Sequence, residues 1–357
     1  MSAPPAERDN PPAGVSSVAR RIRRGVPRRV WARVVLGLAG LVAIAIPVSG
    51  WFLSSLLLDP HDNLVGSRLK VLSIGPGEVK LARTAASMRP GTYGLDWTGG
   101  SATITAITRI GPDSVTRKLS ALSGRLAPGT DADLNDAVWN GNPSSALGIP
   151  YAEVSYPDPL GPMPAWVVGG RGATWVMFVH GIDGNRTGGL RPLITLHALD
   201  IPTMLISYRN DSGAPRSPDH LIHLGMTEWQ DLDAATRWAL ARGAKHFILY
   251  GDSMGGAIVT RYMHESPRAR DVVAMVLDSP VLDWRSVIAH VLSTVHLPFL
   301  SLPLRTTISL RIGMDWNSMD EVRRAHQFQS RSCCSRGPPT PSSPRSTASA
   351  SPPPYRD

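Results

Sequence analysis

Residues 247–256 run Phe-Ile-Leu-Tyr-Gly-Asp-Ser-Met-Gly-Gly: a short apolar strand enters Gly251-Asp252-Ser253-Met254-Gly255 and leaves as a helical pattern over Met254–His264. This is a G-x-S-x-G turn in the strand-to-helix context that gives the motif its meaning. A turn that sharp forces Ser253 into a strained backbone conformation, and the residues two before and two after it must be small for the turn to close. The hydroxyl then stands at the carboxyl end of a sheet, where a helix N-terminus favours developing negative charge. Gly256 lets the helix pack closely under the turn. The bland alternative is a glycine turn with no chemistry, so the flanking elements decide between the two.

Outward from the turn, apolar strands alternate with helices. Thr174–Val179 is an apolar run ending at His180-Gly181, Leu190–Leu199 has helical period, and Thr203–Ser207 is again a strand. Thr227 and Gln230 predict a capping box for a helix to Arg242 with Leu232, Ala235, Trp238 and Ala239 on one face. Val272–Leu277 is the next strand and ends in Asp278-Ser279-Pro280. The alternation predicts an α/β fold from about residue 151 to 329, a mostly parallel sheet with helices on both faces. Residues 59–150 differ: Lys70–Ile74, Glu78–Leu81 and Ser101–Ile107 are strand-like and separated by glycine turns, which predicts a small β-rich lead-in.

The net charge of +9 is confined to the two ends. Residues 1–33 hold eight Arg against Glu7 and Asp9, and residues 331–357 hold four Arg against Asp357, so the stretch between is neutral and offers no nucleic-acid face. Residues 1–33 are expected to be a basic, disordered cytoplasmic tail. Val34–Leu58 carries no charge and is long enough to cross a bilayer as a helix. Arginines at 20, 21, 23, 24, 28, 29 and 33 precede it, so the expectation is a single-pass membrane protein with its N-terminus cytoplasmic and the remainder outside. Trp31 and Trp51 suit the two interfaces, and Pro47 and Gly50 fall late in the span. A cleaved signal peptide is the alternative, against which stand the length of the run and the lack of an A-x-A site. Cys333 and Cys334 are adjacent and make neither a disulfide framework nor a zinc-ligand spacing, so no metal or cofactor is expected.

Taken together, VMFVHGIDGNR, LISYRND, LGMTEWQDLDAATRWAL, LYGDSMGG and VLDSPVLDW resemble the α/β-hydrolase superfamily, in its serine-esterase and serine-aminopeptidase-like branches, over residues from about 151 to 328. The resemblance implies that Ser253 is the nucleophile, attacking an ester or amide carbonyl. It also implies that the backbone N–H groups of Met254 and Ile182 hold the oxyanion, with a small-molecule ester, lipid or peptide as substrate. His180 would order the oxyanion loop. Asp252 would point away from the nucleophile, and Asp278 is either a triad acid or a turn cap. Tyr208-Arg209-Asn210-Asp211 is expected to form a hydrogen-bonded loop beside the site, while His220, His223, His264, His290 and His296 are expected to be structural. In this family Trp284–Phe328 corresponds to a cap over the pocket, and an apolar cap near a membrane suits an acyl substrate.

The resemblance fails at the end of the chain. Residues 330–357 contain no Ile, Leu, Val, Met or Phe, which predicts a disordered tail and a sheet whose last strands are missing. The triad acid and histidine are absent from their usual places, so the chain is expected to be impaired as a hydrolase, or to serve as an inactive membrane-tethered binding protein. The tail itself is expected to be frame-shifted. Read one nucleotide earlier, the serine and cysteine codons of residues 330–335 mostly force apolar residues, followed by a glycine turn and an acid.

Overall fold

A computed structural model describes residues 28–60, 67–327 and 331–335. The basic N-terminal tail up to residue 27 and most of the C-terminal tail lie outside the described residues.

Helix α1 (Arg28–Leu58) runs through Pro47 and contains a stretch, Ala32–Leu58, of mean hydropathy 2.1, long and apolar enough to cross a membrane. A signal sequence meets the same criterion. Its far end is built into the folded protein. Gly50 lies against Pro303 and Thr307, and Leu58 is fully buried in the main core. Arg311 donates to Ser54 and Ser55 hydroxyls at 2.9 Å and to the Asp59 carboxylate at 3.0 Å, with its guanidinium over Trp51.

After α1 comes a closed barrel of β1 (Ser67–Gly75), β2 (Glu78–Ala82), β3 (Tyr93–Trp97), β4 (Gly100–Ile110), β5 (Ser114–Ser123) and β6 (Asp131–Asn135), in the order β1-β2-β5-β4-β3-β6. Leu69, Val71, Val79, Leu81, Leu95 and Ile104 are among the side chains that fill it. Sequence pattern foresees β1, β2 and β4 but not the other three. β6 is a five-residue Asp-Ala-Asp-Leu-Asn strand whose acids face outward, and β5 carries the buried Arg117, whose guanidinium is satisfied by the carbonyls of Ser87, Arg89, Gly91 and Thr105. A buried arginine erases the apolar–polar alternation by which a strand is recognised.

The short helix α2 (Pro143–Leu147) leads to a seven-stranded sheet. Its strands are β7 (Ala152–Asp158), β8 (Gly161–Val168), β9 (Thr174–Val179), β10 (Thr203–Ile206), β11 (His246–Asp252), β12 (Val272–Asp278) and β13 (Arg331–Ser335). The order is β13-β12-β11-β9-β10-β8-β7, parallel from β10 to β13, with the β7–β8 hairpin antiparallel at the edge. Helices α4 (Trp229–Leu240) and α5 (Met254–Glu265) cover one face against Met177, Phe247, Leu249 and Met275, and α3 (Leu190–Ala198) covers Phe178 and Leu205 on the other.

Two expectations are corrected here. The sheet does not end at β12: Arg331–Ser335 pairs with it in parallel, from Ala274↔Arg331 to Asp278↔Ser335. A strand is held by backbone N–H and C=O groups, so an edge position does not require the apolar side chains whose absence argued against it. The helix expected from Thr227 begins instead at Trp229, with no side-chain cap bond. The Glu228 carboxylate takes the amides of His223, Gly225 and Thr227, satisfying the approach loop in place of a Thr–Gln box. The face Leu232, Ala235, Trp238 and Ala239 is buried as its period requires.

The segment after β12 forms α6 (Trp284–Thr294), α7 (Ser301–Ile312) and the single turn α8 (Glu321–Arg324), closed at its base by a bridge between Asp283 and Asp320. Trp284, Ile288, Leu292, Leu304 and Ile308 join the main core.

Candidate active site

Ser253 sits between β11 and α5 at φ 51° and ψ −113°, a region L-residues avoid. Three backbone hydrogen bonds hold it there: its N–H donates to the Asp278 carbonyl at 2.9 Å, and its carbonyl accepts from Gly256 and Val281, each at 3.0 Å. The turn leaves no room for larger neighbours. A Cβ on Gly251 would stand 2.6 Å from the Gly255 carbonyl oxygen, and one on Gly255 would collide with the Val179 carbonyl. Strain of about 1–3 kcal/mol at such a residue persists only when the surroundings over-determine it.

The loop after β9 lies against this turn: a Cβ on Gly181 would be 2.9 Å from the Ser253 Cβ. His180 is buried beneath it. Its Nε2 is 2.8 Å from the Asp211 carboxylate, its Nδ1 is 2.9 Å from the Gly181 carbonyl, and its ring stacks on Tyr208 at 4.3 Å. Tyr208 donates its hydroxyl to the same Gly181 carbonyl at 3.0 Å. Both ring nitrogens therefore face acceptors. Burial works against a charge on His180, but the Asp211 charge and these hydrogen bonds outweigh it and raise its pKa above the ordinary value. The imidazole is committed to holding the loop and does not bond Ser253.

Asp211 belongs to the loop Tyr208-Arg209-Asn210-Asp211, which is hydrogen bonded throughout. Arg209 donates through Nε and Nη2 to the buried Asp231 of α4, at 2.6–3.1 Å, and Asn210 bonds Ser217 and Leu221. A cavity of about 320 Å³ opens beside it, lined by Pro60, Asp183, Asn185, Tyr208, Asn210 and Met254 among others. Neither Ser253 nor any residue of 284–327 is among the residues that line it. The buried side chains of 284–327 join the main core, and α7 packs on α1. Pro60 and Asp183 were not foreseen as lining residues. One follows an apolar helix and the other an HG turn, and neither position has a chemical signature in the sequence.

Asp278 accepts the Tyr250 hydroxyl at 3.1 Å and lies opposite Asp252 in the β11–β12 register. Burial, followed by the Asp278 charge, raises Asp252 to about 6. The folded protein thus holds that proton more tightly than the unfolded chain, so the associated stability is present below the unfolded value near 4 and is lost as pH rises through 6. Asp252→Asn is expected to match the parent in urea stability near pH 4 and to exceed it by ~2 kcal/mol near pH 8. A difference that does not change with pH would refute this assignment. Among the described residues no histidine is hydrogen bonded to Ser253 Oγ: His264 pairs with Glu321 and His223 with Asp219.

Residues 217–348 match the family model described as serine aminopeptidase, S33, and residues 70–135, the barrel, match a domain of unknown function (DUF8805). No curated protein matches the chain in sequence. Among solved structures, an esterase of Pyrococcus furiosus is similar at 19% identity, covering 55% of this chain and 73% of that one, with a TM-score of 0.43. A thermostable carboxylesterase cloned from a metagenomic library is similar at 17% identity, covering 52% of this chain and 78% of that one, with a TM-score of 0.37. The S33 match takes in β11, the Ser253 turn, α5 and β12.

Proposed function

We propose that the protein is a serine hydrolase acting on an ester or amide carbonyl, with Ser253 as nucleophile. The observation that carries this is the over-determined backbone of Ser253, with the His180-Gly181-Ile182 loop packed against it. The N–H of Met254, at the start of α5, and that of Ile182, which makes no backbone hydrogen bond among the described residues, are the oxyanion donors in this reading. Loss of one such donor typically removes about 2.7–4 kcal/mol of transition-state stabilisation. His180, Tyr208 and Asp211 position the loop. The substrate is a small-molecule ester, lipid or peptide.

A second reading, an inactive hydrolase-like binding protein, is favoured by the lack of a histidine on Ser253 among the described residues. A fluorophosphonate probe separates the two. In the hydrolase reading it labels the chain once its C-terminal reading frame is restored, and Ser253→Ala removes the label. Labelling that survives Ser253→Ala, or that never appears in the restored chain, leaves the turn as structure only.

In the same reading α1 is a retained anchor, with the N-terminus inside and residues from 59 onward outside. The burial of Leu58 and the bonds from Arg311 to Ser54, Ser55 and Asp59 favour retention, because cleavage after the apolar run would strip a core side chain and an arginine of its partners. Protease added to intact cells or spheroplasts is expected to digest the barrel and hydrolase segments. Digestion only after lysis reverses the orientation.

A further inference from the structure

Between Arg285 and Arg305 the chain carries no Asp, Glu, Lys or Arg. The stretch is only half used by the core. Ile288, Leu292, Leu300 and Leu304 are buried, whereas residues 293–299, which link α6 to α7, are exposed without a break. Phe299 is 67% exposed, Leu302 69% and Val295 55%, and Val291 and Leu297 are exposed beside them. Leaving such side chains in water forgoes about 1.5–3 kcal/mol each, and a contiguous apolar tip of this kind marks a contact surface.

The position of α1 says what covers it. Gly50 lies on Pro303 and Thr307 at the start of α7, while Arg311, near the end of α7, reaches Ser54, Ser55 and Asp59. The two helices are therefore parallel and side by side. Going back along α1 from Gly50 towards Ala32 leads past the N-terminus of α7 and towards the exposed tip, which also touches α1 through Pro298–Leu300. A bilayer core takes roughly 20 helical residues, and counted from Ala32 these end near Trp51. The first turn of α7 is then level with the outer edge of the hydrocarbon, and the tip before it is at or below that level.

We propose that the tip of the α6–α7 hairpin, Val295–Leu302, inserts into the outer leaflet of the membrane beside α1, at the boundary between phospholipid headgroups and acyl chains. The protein then holds the bilayer at two points, a span and a wedge. Two attachments fix the height and tilt of the hydrolase domain in a way that a single helix does not. The cavity beside Pro60 is carried at a set distance from the lipid surface. Val, Phe, Leu and Pro at the tip, with Ser301 and His296 but no acid among them, suit an interfacial wedge. This inference rests on the reading of α1 as a membrane span.

The test uses the full chain in phospholipid nanodiscs, with Cys333→Ser and Cys334→Ser as background. Single cysteines replace Phe299, Leu302, Ile44 in α1, or Leu122 in the barrel, and each carries an environment-sensitive fluorophore. The expected result is quenching of the probes at 299, 302 and 44 by acyl-chain spin-labelled phospholipid, with aqueous iodide quenching about fivefold weaker than at 122. Iodide access at 299 and 302 with lipid quenching at 44 overturns the wedge and leaves the span standing. Aqueous behaviour at all sites overturns both, and lipid quenching at 299 and 302 with an aqueous probe at 44 discards the span and overturns the two-point attachment proposed here. Shielding from iodide without lipid quenching means a protein surface covers the tip, a second copy included, and the proposal fails.

Discussion

Restoring the reading frame at codon 330 is expected to raise turnover of a short p-nitrophenyl ester at least ~10³-fold, and Ser253→Ala in the restored chain to abolish the gain. A serine hydroxyl is a weak nucleophile until a base takes its proton, and a triad stripped of a member retains only residual catalysis. The Ser253 turn and the loop over it are built in the chain as it stands, and in the proposed hydrolase reading the component still to be supplied is the base. β13 lies parallel to β12 with Ser335 opposite Asp278, at the carboxyl end of the sheet where Ser253 also stands. In the earlier frame the codons of residues 330–335 mostly dictate apolar residues, so the same backbone position receives a strand suited to burial, followed by a glycine turn and an acid. Translated onward, that frame should yield a histidine some tens of residues later. Gene sequence and kinetics decide the matter together. A stop before the recovered acid, or equal turnover by the two chains, ends the proposal, and undiminished turnover by Ser253→Ala removes the nucleophile assignment.

Truncating Asp231 is expected to destabilise the protein by about 3–5 kcal/mol. Arg209 and Asp231 are buried, bonded through two guanidinium nitrogens and through the Arg209 amide. Asp231→Ala strands the guanidinium in a low-dielectric interior with only Gln230 as a side-chain partner. The paired replacement Arg209→Met with Asp231→Leu removes both charges and should recover most of the loss, since a buried ion pair stabilises little beyond an apolar pair of similar volume. Urea midpoints of the two variants check this, and equal losses would show that packing rather than charge is at stake. If the proposed hydrolase reading holds, the single variant made in the frame-restored chain should also lower kcat. Tyr208 and Asp211 lie beside Arg209 and hold His180 and the Gly181 carbonyl, so a loosened loop would misplace the N–H groups proposed as oxyanion donors.

Much of this architecture was legible in local pattern. β9, β12 and α5 begin within a residue of their sequence-based bounds because fully buried parallel strands are unbroken apolar runs and the Ser253 turn admits only small neighbours. The barrel was legible only in part. Of the three strands missed, β3 and β6 are only five residues long and β5 conceals Arg117. β13 was read wrongly from composition, since side chains were used to judge an element held by its backbone.

Ser253, the strand–turn–helix around it and the apolar, arginine-flanked α1 follow from the amino-acid sequence alone, because each is specified by neighbours within a few residues along the chain. Other relations were decided only by tertiary structure. Asp211 is committed to His180, Arg209 to Asp231 and Arg311 to the end of α1, and α7 lies along α1. Those partners are far apart along the chain, and a charge in the sequence does not say which distant opposite charge will neutralise it. That choice is made when the core closes, because a buried charge must find a partner from whichever element packing has brought alongside.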